Sequence, residues 1–303
     1  MKNEVISIII ITYNAMRWVD KCLSPLQEVP ANAKVYIIDN GSTDGTQDFI
    51  KTNFKSFNFY QSKKNLGFGK ANNLGFEMAL KDGCTHFLLL NQDAHITWEN
   101  VFKLAQLQKE NTEFGIISPL QLYNDDRVDF LHLKSLMKES YTFLNDLICH
   151  NNMKDVYEIT YTNAAIWMLS KACLKKVGGF DPIFPHYGED KDLSNRVNFF
   201  NLKVGLAPFV KAFHLRKQDL HSKKKSKKEH YVKFLVRAKK LDKNTSFVSL
   251  RIMLELIKGL FSKSSNLGGL ASWQAFIKFI GNLQQIIKHK KINKESDYTF
   301  LKF

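Results

Sequence analysis

Short apolar runs along the first half of the chain each end on polar groups. VISIIIITYN (5–14) is β-branched and apolar as far as Thr12, AKVYIIDN breaks at Asp39, and HFLLLNQD breaks at Asn91. Runs of this kind predict strands covered on both faces. FNFYQS (57–62) and GIISPL add a third and a fifth strand. Between them the apolar spacing turns helical, through Trp18, Cys22 and Leu26, then along 65–83 to Gly83, then along TWENVFKLAQLQKEN. Alternating strand and helix predicts an open, mainly parallel α/β sheet with flanking helices. In such a sheet ligands bind beyond the carboxyl ends of the strands.

Further on, EITYTNAAIWMLSKACLKKVGGFDP (158–182) predicts a strand, then a helix from about Ser170 to Gly178. GEDKDLSNRVNFFNL (188–202) predicts a helix with an acidic start and Leu193, Val197 and Phe200 on one face. KVGLAPFVKAFHLR predicts two short strands, and residues 120–160 show no clear period.

Composition changes the picture only in the last third. The 303 residues are 44% apolar and 13% aromatic, enough for a real core. The four cysteines are scattered with no CxxC pair, which suggests neither a zinc site nor a disulfide framework and fits a reducing cytosol. No stretch reaches the roughly 20 apolar residues of a membrane helix, and the N-terminus reads as a strand rather than a signal peptide. Of the net charge of +15, residues 220–303 supply most, with 19 Lys and Arg against 5 Asp and Glu. That asymmetry predicts two parts: a domain over 1–219 and a basic helical extension over 220–303. FVSLRIMLELIKGLF (247–261) and LASWQAFIKFIGNLQQIIKHKK (270–291) predict amphipathic cationic helices, the second through Trp273, Phe276, Ile277, Ile280, Leu283 and Ile287, with Phe279 a further aromatic. Such helices suit an anionic membrane surface. The alternative is an appendage packed on the first domain or on a second subunit. Nucleic acid is a poor fit, since no recognised nucleic-acid fold accompanies the charge. If the extension is a separate module, 1–219 is expected to stay soluble alone.

The candidate chemistry gathers at strand ends and one helix start. Asp39 and Asp44 follow the second strand, Asp93 the fourth, and Glu189, Asp190 and Asp192 open a late helix; His214 ends a late strand. Acids converging on one sheet edge suit a hard divalent cation, Mn²⁺ or Mg²⁺, holding a phosphate-bearing substrate.

ISIIIITYN, YIIDNGSTDGT, NLGFGKANNLG, LLLNQDA and GEDKDLSNR together, in this order, resemble the family-2 glycosyltransferases, inverting enzymes of GT-A fold. The likeness is greatest to the rhamnosyltransferase-like branch and covers about residues 4–216. It implies transfer of a sugar from a UDP- or dTDP-linked donor, such as rhamnose, to a hydroxyl of a cell-surface glycan or lipid-linked acceptor; the basic extension is expected to hold the enzyme at the cytoplasmic face of the plasma membrane. The likeness implies that Thr12, Tyr13 and Asn14 line the nucleotide pocket, with Tyr13 against the base, and that Asp39 bonds the base or ribose. Asn65, Lys70 and Asn73 are implied near the sugar-diphosphate. NQD stands where the family has DxD, so Asn91 replaces the first acid. Asn91 and Gln92 then orient donor groups without adding charge, and Asp93 keeps the metal-binding carboxylate. Asp190 matches the general base, and His214 a position that completes the metal site.

Two other functions fit less well. A nucleotidyltransferase would carry a Gly-rich basic loop directly after the first strand, where TYNAMRW stands instead. A non-catalytic sugar-nucleotide-binding or scaffold protein would explain the lost first acid but not the retained Asp190.

Overall fold

The computed structural model describes residues 4–123, 127–215, 226–260, 269–295 and 297–302. The strands are β1 (Ile6–Thr12), β2 (Ala33–Asp39), β3 (Asn58–Gln61), β4 (His86–Asn91), β5 (Ala94–His95), β6 (Phe114–Leu122), β7 (Tyr157–Ile159), β8 (Ile166–Ser170) and β9 (Lys203–His214). The helices of the first part are α1 (Val19–Leu23), α2 (Thr46–Asn53), α3 (Phe68–Lys81), α4 (Trp98–Glu110), α5 (Phe130–Glu139), α6 (Tyr141–Ile148), α7 (Lys171–Val177) and α8 (Glu189–Phe199). The extension holds α9 (Lys227–Lys239), α10 (Thr245–Leu260), α11 (Leu270–Gly281) and α12 (Leu283–Ile292).

One sheet runs β3-β2-β1-β4-β8-β6-β9-β5, with β7 paired to β9. The apolar runs read as doubly covered strands are so. Ile8 and Ile10 of β1 join the core under α1, α2 and α4, while Ile9 joins the core under α3, α7 and α8. Period-two alternation thus feeds two cores from one strand.

The α/β expectation holds, but the sheet is mixed. β1, β2, β3 and β4 pair in parallel, whereas β8 lies antiparallel between β4 and β6. The chain enters β8 at the edge where β4 ends. This crossover leaves the aperiodic stretch 120–160, so its direction could not be read from periodicity. The two short strands expected over 203–216 are one strand, β9, with a register shift against β6 near Pro119.

The extension is not an independent module. α9 to α12 enclose a core of Phe234, Leu235, Ile252, Phe276 and Phe279, and Phe184 of the first part belongs to it. Phe276 and Phe279, expected to face a membrane, are therefore interior. Gly188, at φ +91°, lies under α9: a Cβ there would stand 2.7 Å from Val232 Cγ1. Only glycine tolerates both the left-handed backbone and this approach. Asp181, fully buried, forms an ion pair with Lys239 at 2.6 Å and contacts His289 Nδ1 at 2.6 Å. Asn293 Nδ2 donates to the same carboxylate at 3.1 Å. The final residues return to the first part, where Gly179 N–H donates to the Thr299 carbonyl. A cut at 219 would uncover these groups, against the expectation that 1–219 stays soluble alone. Lysines 223–225 of the basic run lie outside the described residues.

Candidate active site

The carboxyl ends of β1, β2 and β4, the start of β8 and the start of α8 surround a cavity of about 560 Å³. Tyr13, Asn65, Asn91, Gln92, Asp93, Asp190 and His214 all line it. Residues up to about 200 apart in sequence thus share one wall, as the strand-end reading requires.

Other expected residues build the walls without lining them. Asp39 is fully buried, and its carboxylate accepts from Thr12 Oγ1 at 3.0 Å, Ser42 N–H at 3.0 Å and Gln47 Nε2 at 2.6 Å. With those lone pairs engaged, Asp39 and Thr12 fix the β2 turn and present no free acceptor to a base. Asn14 (φ 48°) ties the first loop to that turn: its N–H donates to Ser42 Oγ and its Oδ1 accepts from Thr43 N–H, both at 2.9 Å. Gln92 does lie in the cavity, yet its amide grips the Tyr13 backbone, accepting from the N–H at 2.7 Å and donating to the C=O at 3.2 Å. Tyr13 is thereby held while the residue stays 46% exposed, available for stacking.

Lys70 and Asn73 are placed elsewhere than the sequence suggests. Lys70 is exposed on α3 and does not line the cavity. Asn73 is buried; its amide donates to the Phe180 carbonyl and accepts from the Phe180 N–H, both at 2.8 Å. It latches α3 to the loop before α8, and its spacing from Lys70 on one helical face gave no hint of that partner.

Asp93 Oδ1 and His214 Nε2 are 3.4 Å apart, and the Leu215 N–H donates to the Asp93 carbonyl at 2.7 Å. β5 and β9 pair Ala94 with His214, which fixes this juxtaposition. A carboxylate oxygen beside an imidazole suits Mn²⁺ or a similar ion. Among the described residues, no group of three or more His, Cys, Asp or Glu converges to hold a metal. The pair therefore fits an ion held jointly with a diphosphate and water, and not one held by protein alone.

At the far wall, Tyr187 (φ 69°) and Gly188 turn the chain into α8, where the helix dipole favours Glu189 and Asp190. Asp190 accepts from Tyr161 Oη at 2.6 Å and from the Lys191 N–H at 2.7 Å. Glu189 is 5% exposed and its Oε2 has no hydrogen-bond partner among the described residues. Burial, with the neighbouring Asp190 charge adding to it, pushes its carboxyl up to about 7. Asp192 and Arg196 form a buried pair at 2.9 Å, and the guanidinium also donates to the Val177 and Gly179 carbonyls. Their role is to anchor α8.

Sequence reasoning missed Asn40, Asn163 and Ala165, which also line the cavity. Asn40 Nδ2 donates to Asn65 Oδ1 at 3.1 Å and its Oδ1 accepts from the Leu66 N–H at 2.6 Å, which shapes the loop before α3. Asn163 Oδ1 is buried with no hydrogen-bond partner among the described residues. The small pair Ala164-Ala165 before an apolar strand was the available signal.

Residues 7–176 match the sequence model of Glycosyl transferase family 2. No curated protein matches the chain in sequence. Among solved structures, S. aureus TarS 1–349 superposes with a TM-score of 0.58 at 17% identity, over 93% of this chain and 81% of that one. The same protein in complex with UDP-GlcNAc gives 0.57 at 20% identity, with the same coverage. The mannosyltransferase PcManGT from Pyrobaculum calidifontis, in complex with GDP-Man and Mn²⁺, gives 0.54 at 13% identity over 95% and 86% of the chains. At these identities the likeness establishes the fold.

Proposed function

The chain belongs to glycosyl transferase family 2, and from that premise we propose that it moves a sugar, with inversion, from a nucleoside-diphosphate donor to a hydroxyl of a glycan or lipid-linked acceptor. The observation that carries this reading is Asp190: a carboxylate on the cavity wall, fixed by Tyr161 and facing the cavity that Asp93 and His214 also line. The acceptor oxygen bonds to the anomeric carbon as the bond to the diphosphate breaks, and its proton passes to Asp190. A carboxylate within ~3 Å of that oxygen can accept it. Tyr13, pinned by Gln92, stacks on the base, and Asn65 and Asn91 orient donor groups. Asp93 and His214 hold a divalent ion together with the donor. When bound, that ion neutralises charge on the leaving diphosphate. The donor is UDP- or dTDP-linked on this reading, and rhamnose is the sugar the motif pattern favours.

The protein works at the cytoplasmic face of a membrane, and the surface of the extension supports this. Phe247, Leu250, Leu254 and Ile257 form an exposed stripe along α10, at the spacing of one helical face. The surplus of cations in 220–303, Arg251 and Lys258 of the same helix among them, is charge suited to anionic lipid. None of the described helices is long and apolar enough to cross a membrane.

A thermal-shift screen of UDP-, dTDP- and GDP-sugars, with and without Mn²⁺, tests the donor reading. A donor that binds only the folded state raises the melting temperature by mass action. One or more donors should do so, more strongly with Mn²⁺; no shift with any of them would overturn the proposal.

A further inference from the structure

A second cavity, of about 610 Å³, is lined by residues that adjoin the wall of the first. Asp190 lines the first; its chain neighbour Lys191 and its hydrogen-bond partner Tyr161 line the second. From there the second cavity follows one face of α8, through Ser194, Asn195, Asn198 and Phe199. The eight helical steps from Lys191 to Phe199, at 1.5 Å each, give it a run of about 12 Å. The opposite wall belongs to the C-terminal part, through Val236, Lys240 and Asp242.

The lining is amide, hydroxyl and aromatic. Phe199 is 40% exposed, although it lies among polar neighbours. Ser194 is 1% exposed, and its Oγ has no hydrogen-bond partner among the described residues. Asn198, which is exposed, donates from Nδ2 to the Thr160 carbonyl at 3.3 Å. An apolar ligand would strand these polar groups. Lys191 and Lys240 are partly offset by Asp242, so the charge is too small to single out a diphosphate. Sugar rings match the set: hydroxyls for the amides, and an apolar C–H face for Phe199.

We propose that this second cavity is a carbohydrate subsite holding the sugars of an oligosaccharide acceptor that lie beyond the reacting one, with the reacting hydroxyl delivered to Asp190. The inference rests on Asp190 as the base. It also gives the C-terminal bundle a role, since α9 and the turn after it close the groove.

The test uses the full chain on an array of immobilised cell-surface oligosaccharides of increasing length, alongside donor titration. Wild type should bind one class of oligosaccharide, with affinity rising from one sugar to three. Phe199→Ala and Asn195→Ala, both at accessible positions, should each weaken glycan binding about tenfold and leave the donor Kd within about twofold. Asp190→Asn should keep glycan binding. If wild type binds donor but no oligosaccharide, or if both alanine variants bind as wild type, the subsite is wrong. If no donor binds, the donor reading fails instead, whatever the array shows.

Discussion

Glu189→Gln should make the protein more resistant to unfolding, and the gain should depend on pH. In the folded chain burial raises the Glu189 carboxyl from its ordinary 4.5 to about 7. Between those values the native state holds a proton that the unfolded chain has released. Stability therefore falls as pH rises through that interval. At 1.36 kcal/mol for each pH unit between the two values, the loss reaches ~3 kcal/mol by pH 8. Glutamine has nearly the same shape and stays neutral, so the loss disappears in the variant. Urea unfolding at pH 5, 6, 7 and 8 measures the effect, because every other titrating group is common to both proteins. The stability difference between variant and wild type should be small at pH 5 and grow to ~3 kcal/mol at pH 8. A difference that stays constant across the range would show that Glu189 is already ionised in the fold and that burial does not control it.

Lys239→Met should destabilise the chain by ~3–5 kcal/mol, because it leaves the Asp181 carboxylate buried without its lysine; unchanged urea midpoints would mean that His289 and Asn293 suffice. Asp93→Ala should weaken donor binding in Mn²⁺ yet leave metal-free binding nearly unaltered, as titration calorimetry can show; equal losses with and without metal would assign Asp93 to the donor itself. Wild type should sediment with anionic liposomes, less so at high salt, and Leu250→Glu with Leu254→Glu should abolish this at any salt. If the paired variant instead splits an oligomer in the ultracentrifuge and liposomes bind neither protein, the α10 stripe covers a second copy.

The sheet and the site differ in how legible they were. β1 and β4 announce themselves because both faces are covered, leaving unbroken apolar runs, and each run stops where the site begins. Asp93 and His214 could be paired with one edge as strand ends, while Asp190 was placed there by its motif at a helix start. Asp39 was readable as important but not as spent. Its acceptors are consumed by Thr12, Ser42 and Gln47, a three-dimensional fact that no spacing carries. Asn73 shares a helical face with Lys70, while its partner, Phe180, is 107 residues away. Tyr161 and Asn163 reach the site only because β8 is antiparallel to β4, and the crossover that decides this runs through a stretch without period. In the extension, periodicity showed which helices have apolar sides but not what covers each. α10 is apolar nearly all round: Val248, Ile252 and Leu256 are buried in the bundle, while Phe247, Leu250 and Leu254 face outward. In α11 it is Phe276 and Phe279 that turn inward.

The central claim is that Asp190 accepts the proton of the attacking hydroxyl in this cavity. Its most direct test is the rate of nucleoside-diphosphate release by Asp190→Asn, measured with the donor that stabilises wild type, beside the affinity for that donor. Loss of a general base predicts a fall of ~10²–10⁴-fold in rate, with donor affinity within a few-fold of wild type because Tyr13, Asn65 and Asp93 are untouched. Turnover near the wild-type rate would contradict the account and move the base to another group on the cavity wall.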